Sequence, residues 1–193
     1  MGRVGRPGLL ADLSRRSAQR EGRSAKVGGA GTMDTIEASG RAAGFRFALV
    51  VSKYNDFVTD RLQAGALAAL SSAGVTPTDV TVVRVPGAFE IPLAAQHAAE
   101  SGRFDAVICL GCVIRGETPH FELIASAVAH GLTDAAAATG VPMAFGVLTT
   151  NSVEEALARA GDGSSNKGHE AAVAAIEMAD VLAQVTRQAA PRS

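Results

Sequence analysis

Val113-Ile-Arg-Gly-Glu-Thr-Pro-His120 joins an apolar segment to an alanine-rich one. The residues before this connection, 105–114, form a nearly unbroken apolar run, which is typical of a strand buried on both faces of a parallel sheet. The residues after it, 121–138, carry apolar side chains at helical spacing. We therefore predict a strand, a short connection and a helix with His120 in its first turn.

This connection is also a candidate anion site. Gly116 and Thr118 would present free backbone N–H groups at a helix N-terminus, where the helix dipole favours a bound phosphate. An imidazole would then lie beside the phosphate. The alternative is that His120 only caps or packs the helix.

Strands and helices alternate along the rest of the chain. The patterns predict four strands, at 45–52, 79–85, 105–114 and 141–150, and five helices, at 57–73, 92–101, 121–138, 153–160 and 168–185. Asn55 or Asp56 is the expected cap of the first helix. Such alternation predicts an α/β fold, a flavodoxin-like three-layer α/β/α sandwich around a four-stranded parallel sheet.

Composition limits the classes of function. The chain has 193 residues, of which 47% are hydrophobic and 4% aromatic, enough for one domain. Residues 33–193 carry an excess of acidic over basic side chains, which argues against a nucleic-acid surface. No apolar run reaches the ~18 residues of a membrane helix and no secretory signal is evident, so a cytoplasmic protein is expected.

The basic, apolar-poor N-terminal segment sets the expected domain limits. We predict a disordered N-terminal extension or arm at 1–43, one domain at 44–188 and a C-terminal tail at 189–193.

The two cysteines form a C-x-x-C pattern. Side chains three apart on a strand point to opposite faces, so Cys109 and Cys112 would not meet. Zinc needs about four ligands, which the neighbouring sequence does not supply. We interpret both as small apolar residues and expect no metal; a redox pair is the weaker alternative.

Polar and aromatic residues follow the predicted strands, where parallel sheets bind ligands. Tyr54 follows the first strand, and Phe89 and Glu90 follow the second. Either ring could instead belong to the core, and Glu90 could simply favour a helix N-terminus. Arg159, at a predicted helix C-terminus, could be an ordinary solvated charge.

Four segments resemble the lumazine synthase family: 85–92 (VPGAFEIP), 111–120 (GCVIRGETPH), 145–150 (FGVLTT) and 166–168 (NKG). The similarity extends from about Phe45 to Leu182. It implies condensation of 5-amino-6-(D-ribitylamino)uracil with 3,4-dihydroxy-2-butanone 4-phosphate to 6,7-dimethyl-8-ribityllumazine, the penultimate step of riboflavin biosynthesis. It implies neither a metal nor a redox cofactor.

The resemblance also implies residue roles. His120 would be the proton donor and acceptor, because an imidazole exchanges protons near neutral pH. The residues that would bind the ribitylaminouracil are Tyr54, Ala88, Phe89, Glu90, Cys112, Val113, Ile114 and, from a neighbouring subunit, Phe145. Those that would bind the butanone phosphate are Glu117, Thr118, Arg159 and Lys167.

The family resemblance further implies a homo-oligomer with sites between subunits. Residues 161–167 lack the Gly-Thr-Lys-Ala-Gly-Asn sequence associated with sixty-subunit shells, so a pentamer is favoured and a shell is the alternative. Riboflavin synthase is a candidate partner. The alternative function is a non-catalytic flavin- or lumazine-binding module or a shell protein of the same fold.

Overall fold

The computed structural model describes residues 34–189, which contain four strands and five α-helices. The strands are β1 (Phe47–Ser52), β2 (Val80–Val85), β3 (Ala106–Ile114) and β4 (Met143–Thr150). The α-helices are α1 (Asp56–Ser72), α2 (Ile91–Glu100), α3 (His120–Thr139), α4 (Val153–Arg159) and α5 (Lys167–Ala189). Two 3-10 turns, Pro77–Asp79 and Ala88–Glu90, precede β2 and α2. No helix within residues 34–189 combines the length and apolar character needed to cross a bilayer.

All four strands are parallel, in the order β2-β1-β3-β4. The inner strand β1 is buried along its whole length, and β3 is buried through Cys112. Strand β2 lies at an edge and is half exposed. The predicted α/β fold with a four-stranded parallel sheet is therefore confirmed.

The helices cover both faces of the sheet. One apolar core joins the sheet to α1, α4 and α5, and the other joins it to α2 and α3. Cys112 belongs to the first core and Cys109 to the second, so the two thiols lie on opposite faces as predicted. Burial raises the pKa of both thiols, that of Cys112 to about 11.

The cap of α1 differs from the expectation. Asn55 precedes the helix, but it adopts a left-handed conformation with φ 59° and ψ 45°, and no side chain caps the helix. Its amide Nδ2 instead donates to the carbonyl oxygen of Cys112, at 2.9 Å. The predicted side-chain cap by Asn55 or Asp56 is wrong because the amide is engaged by the end of β3.

Other bounds shift by a few residues. Strand β4 begins at Met143 rather than 141, and the last helix continues to Ala189 rather than 185. His120 is the first residue of α3. The connection between strand and helix is therefore one residue shorter than predicted.

The segment before β1 lies along α5. The backbone N–H and the Oγ of Ser39 donate to Oδ2 of Asp180, at 2.7 and 2.8 Å, and Gln184 Nε2 donates to the carbonyl oxygen of Glu37. Ala42 is fully buried. The predicted extension falls largely on residues 1–33, outside the described residues, and the proposed domain limits stay predictions.

Candidate functional site

The end of β1 places an aromatic ring at the carboxyl edge of the sheet. Tyr54 is 71% exposed. The backbone N–H groups of Lys53 and Tyr54 donate to the carbonyl oxygens of Val85 and Pro86, at 2.8 and 3.1 Å. These bonds hold the turn after β1 against the turn after β2.

The turn after β2 supplies a second ring. Phe89 lies in the 3-10 turn and is 60% exposed, while Ala88 beside it is buried. Proline is tolerated at the start of a helix, and Pro92 occupies the first turn of α2. Glu90 Oε2 accepts from the backbone N–H of Gly87, at 2.9 Å, so this carboxylate folds back on its own turn.

The connection after β3 carries free backbone donors. The N–H of Arg115 donates to the carbonyl oxygen of Thr150, at 2.8 Å, which extends the pairing of β3 with β4. Among residues 34–189, no acceptor is found for the N–H groups of Gly116, Glu117 and Thr118. His120 follows at the exposed start of α3. Free N–H groups and an imidazole therefore lie close together in sequence, and the anion site stays a prediction.

These three turns enclose a cleft of about 400 Å³, here called the first cleft. Its size falls within the range of small-molecule sites. The first cleft is lined by Tyr54, Gly87, Ala88, Phe89, Cys112, Val113, Ile114, Gly116, Thr118, His120, Phe121 and Ile124.

A second cleft of about 390 Å³ lies between β4 and α5. Phe145 is 48% exposed there. Arg159, at the end of α4, donates from Nη1 to the carbonyl oxygen of Glu155 at 3.1 Å, and Lys167 Nζ pairs with Glu170 at 2.6 Å. This cleft is lined by Phe145, Gly146, Val147, Leu148, Thr149, Arg159, Lys167, Glu170, Ala171 and Ala174.

The predicted site residues are thus divided between two surfaces of one chain. Eight of them line the first cleft: Tyr54, Ala88, Phe89, Cys112, Val113, Ile114, Thr118 and His120. Phe145, Arg159 and Lys167 line the second, and the two linings share no residue. Glu90 and Glu117 line neither, although each adjoins a lining residue in sequence.

Sequence reasoning assigned no structural role to Asn166, which is 3% exposed and directly precedes Lys167 of the second cleft. Its Oδ1 accepts from the backbone N–H groups of Gly168 and His169, at 2.8 and 3.2 Å, which caps α5. Its Nδ2 donates to the carbonyl oxygens of Arg61 and Gly161, at 3.1 and 2.8 Å. An asparagine before a helix signals the cap, but the sequence gives no sign of the contact with Arg61.

Comparison with known proteins identifies the family. Residues 44–183 match the family model described as 6,7-dimethyl-8-ribityllumazine synthase. A 6,7-dimethyl-8-ribityllumazine synthase of Syntrophus aciditrophicus (strain SB) is 54% identical over 144 residues, which cover 75% of this chain and 94% of that protein. The matched region includes both clefts. The chain therefore belongs to the 6,7-dimethyl-8-ribityllumazine synthase family.

Proposed function

We propose that the first cleft of one copy and the second cleft of a neighbouring copy together form the catalytic site. As a member of its family, the chain is a transferase that condenses 5-amino-6-(D-ribitylamino)uracil with 3,4-dihydroxy-2-butanone 4-phosphate. The products are 6,7-dimethyl-8-ribityllumazine, phosphate and water. The observation that carries the proposal is the separation of complementary groups: rings, free amides and an imidazole in one cleft, and a ring with two cations in the other.

The first cleft suits the ribitylaminouracil. Tyr54 and Phe89 expose ring faces at two adjacent turns, and stacking on a flat heterocycle contributes roughly 0.5–1.5 kcal/mol beyond area burial. Ala88 and the end of β3, at Cys112, Val113 and Ile114, complete the wall against the pyrimidine. These contacts would orient the ring.

Glu90 is the proposed acceptor for the ribityl hydroxyl groups. A carboxylate has two oxygens with several lone pairs, and one oxygen already accepts from Gly87. The other oxygen is available to the substrate. The bond to Gly87 would hold the carboxylate in place for this contact.

The phosphate would bind where the connection after β3 meets α3. The free N–H groups of Glu117 and Thr118 are suited to an anion, and the dipole of α3 adds to the attraction. Arg159 from the neighbouring copy would add a charge-assisted pair. Lys167 is the weaker phosphate candidate because Glu170 already neutralises it.

His120 is the proposed proton donor and acceptor. Imine formation, loss of phosphate and ring closure each move protons on or off nitrogen, carbon or oxygen, and a positioned imidazole can serve all three steps. Its place at the start of α3 puts it next to the proposed phosphate. Much of the remaining acceleration would come from holding two reactants together.

The proposed assembly follows from the division of the site. Phe145 would contact the heterocycle of the adjacent copy, and a ring of copies would repeat this contact at every interface. A pentamer is favoured, with the sixty-subunit shell as the alternative, and a cytoplasmic location with riboflavin synthase as a candidate partner stays a prediction.

The reaction can be tested by absorbance in the lumazine band after purified protein is mixed with both substrates. The signal should rise only when both are present and should fall sharply in Arg159→Ala. Arg103→Ala, at the opposite end of the sheet, is the matched control and should behave as wild type. No rise above the uncatalysed mixture, from folded and oligomeric protein, would refute the proposed function.

A further inference from the structure

We infer that Arg115 is a positioning residue that fixes the His120-bearing turn of α3 against the end of β4. The inference rests on the proposed role of His120. The sequence places Arg115 in the connection after β3 but gives it no role, because an arginine in an exposed connection is usually a solvated charge.

Arg115 connects two elements of the fold. Its Nε donates to Asn151 Oδ1 at 3.0 Å, and its Nη1 donates to Glu122 Oε1 at 2.5 Å. Its guanidinium carbon lies 4.5 Å from the centroid of the Phe121 ring. Its backbone N–H donates to Thr150. The two residues that follow His120 are thereby tied to the residues that end β4.

The guanidinium lies outside the first cleft. Its neighbours Ile114, Gly116 and Phe121 line that cleft, whereas Arg115 does not. Phe121 therefore has one surface toward the cleft and contacts the guanidinium as well. Arg115 would act on the reactants through the helix rather than by touching them.

The N-terminus of α3 has no capping side chain of its own. Pro119 occupies the cap position, and no side chain makes a capping hydrogen bond there. The preceding N–H groups are left free. Glu122 is held as an anion: its own backbone N–H, and then Arg115, lower the pKa of that carboxyl. An ion pair, a cation–π contact and a hydrogen bond to an amide therefore hold this turn against the end of β4.

The contact partner Asn151 is itself anchored. Its backbone N–H donates to Glu155 Oε2 at 3.0 Å, and the carbonyl oxygen of Glu155 accepts from Arg159. The turn that carries His120 is therefore linked through Arg115 to the helix that carries Arg159.

The test compares Arg115→Met and Arg115→Lys with wild type in steady-state lumazine formation. Misplacement of a catalytic group by about 1 Å can cost roughly a hundredfold in rate, so Arg115→Met should lower kcat by about ten- to a hundredfold. The KM for the ribitylaminouracil should change less than about threefold, since stacking on Tyr54 is preserved. Arg115→Lys should restore kcat only in part, because an ammonium cannot stack on Phe121 and bind both Asn151 and Glu122 as a planar guanidinium does.

A double-mutant cycle separates positioning from general structural damage. If Arg115 acts through His120, Arg115→Met should lower kcat by less than about twofold when His120→Ala is already present. If Arg115 had only a general structural role, Arg115→Met would lower kcat by the same factor in wild type and in His120→Ala. Arg103→Met removes a similar stack, 4.8 Å from Phe104, far from the clefts, and should leave kcat unchanged.

If Arg115→Met does not assemble, Glu122→Gln, which alters only an exposed side chain, replaces it and should lower kcat severalfold. The inference is overturned if assembled Arg115→Met keeps the wild-type kcat, if its loss is undiminished beside His120→Ala, or if only the KM for the butanone phosphate rises. The last result would make Arg115 a direct phosphate ligand. An inactive wild type would instead refute the proposed function.

Discussion

Asn166→Asp should destabilise the protein, although aspartate and asparagine are about equally good at a helix N-cap. The reason is that the amide nitrogen of Asn166, Nδ2, also donates hydrogen bonds, which a carboxylate cannot do. Asn166 Oδ1 caps α5, and aspartate would retain that contact. Nδ2, however, donates to the carbonyl oxygens of Arg61 and Gly161, and a carboxylate oxygen in its place would face two acceptors.

The magnitude follows from the two hydrogen bonds that the substitution breaks. A buried polar group left without its partner costs about 1–3 kcal/mol, and two carbonyl oxygens are deprived of their donor. A carboxylate at the N-terminus of a long helix returns about 1 kcal/mol through the dipole. The net loss is therefore about 1–5 kcal/mol of unfolding free energy. It corresponds to a fall of roughly 2–20 °C in Tm for a domain of this size.

The assay is thermal unfolding at fixed protein concentration, because assembly links stability to concentration. Asn166→Ala removes both halves of the amide and places no charge at the helix N-terminus, so it should cost about 2 kcal/mol more than Asn166→Asp. Ser152→Ala removes only the cap of α4, a single bond of 3.2 Å to the N–H of Glu155, and should cost about 1 kcal/mol. The difference in stability between Asn166→Asp and wild type should become smaller at low pH, because a protonated carboxyl can donate a hydrogen bond. An Asn166→Asp protein as stable as wild type at pH 7 would refute the reasoning.

Three further predictions concern other parts of the chain. Because burial raises the Cys112 pKa to about 11, iodoacetamide at pH 8 should react with it about two orders of magnitude more slowly than with an unfolded thiol, as mass spectrometry would show. Gly168→Ala should lower the unfolding free energy by at least about 1–3 kcal/mol in denaturant titration, because a Cβ would overlap the Leu62 carbonyl oxygen. Bonds from Ser39 hold the pKa of Asp180 below its ordinary value, so the stability advantage of wild type over Asp180→Asn should be full above about pH 5 and be lost as the pH falls through about 4 and below.

The sequence predicted the elements whose signals are local. The apolar run of β3, buried on both faces, and the alternation of strands with helices led to the observed sheet. Exposed aromatic residues such as Tyr54 and Phe89 were found because they follow strands, and the carboxyl ends of parallel strands meet at one edge. His120 was found for the same reason, at the start of a helix.

What the sequence left open depends on contacts between distant segments. The Asn55 amide binds the end of β3 instead of its own helix, and the Asn166 amide reaches a carbonyl 105 residues away. The position of Arg159 in a separate cleft depends on how α4 and α5 follow β4. Local periodicity carries no information about these relations.

The central claim is that one site draws on two copies of the chain. In a ring where His120 of one copy faces Arg159 of the next, equal co-expression of His120→Ala and Arg159→Ala subunits leaves about a quarter of the sites with both residues intact. Differently tagged subunits, purified through both tags, ensure that mixed oligomers are measured. We predict lumazine formation at about a quarter of the wild-type specific activity, well above either parent variant. Activity no higher than the mean of the two parents, in oligomers shown to be mixed, would contradict a site shared between copies.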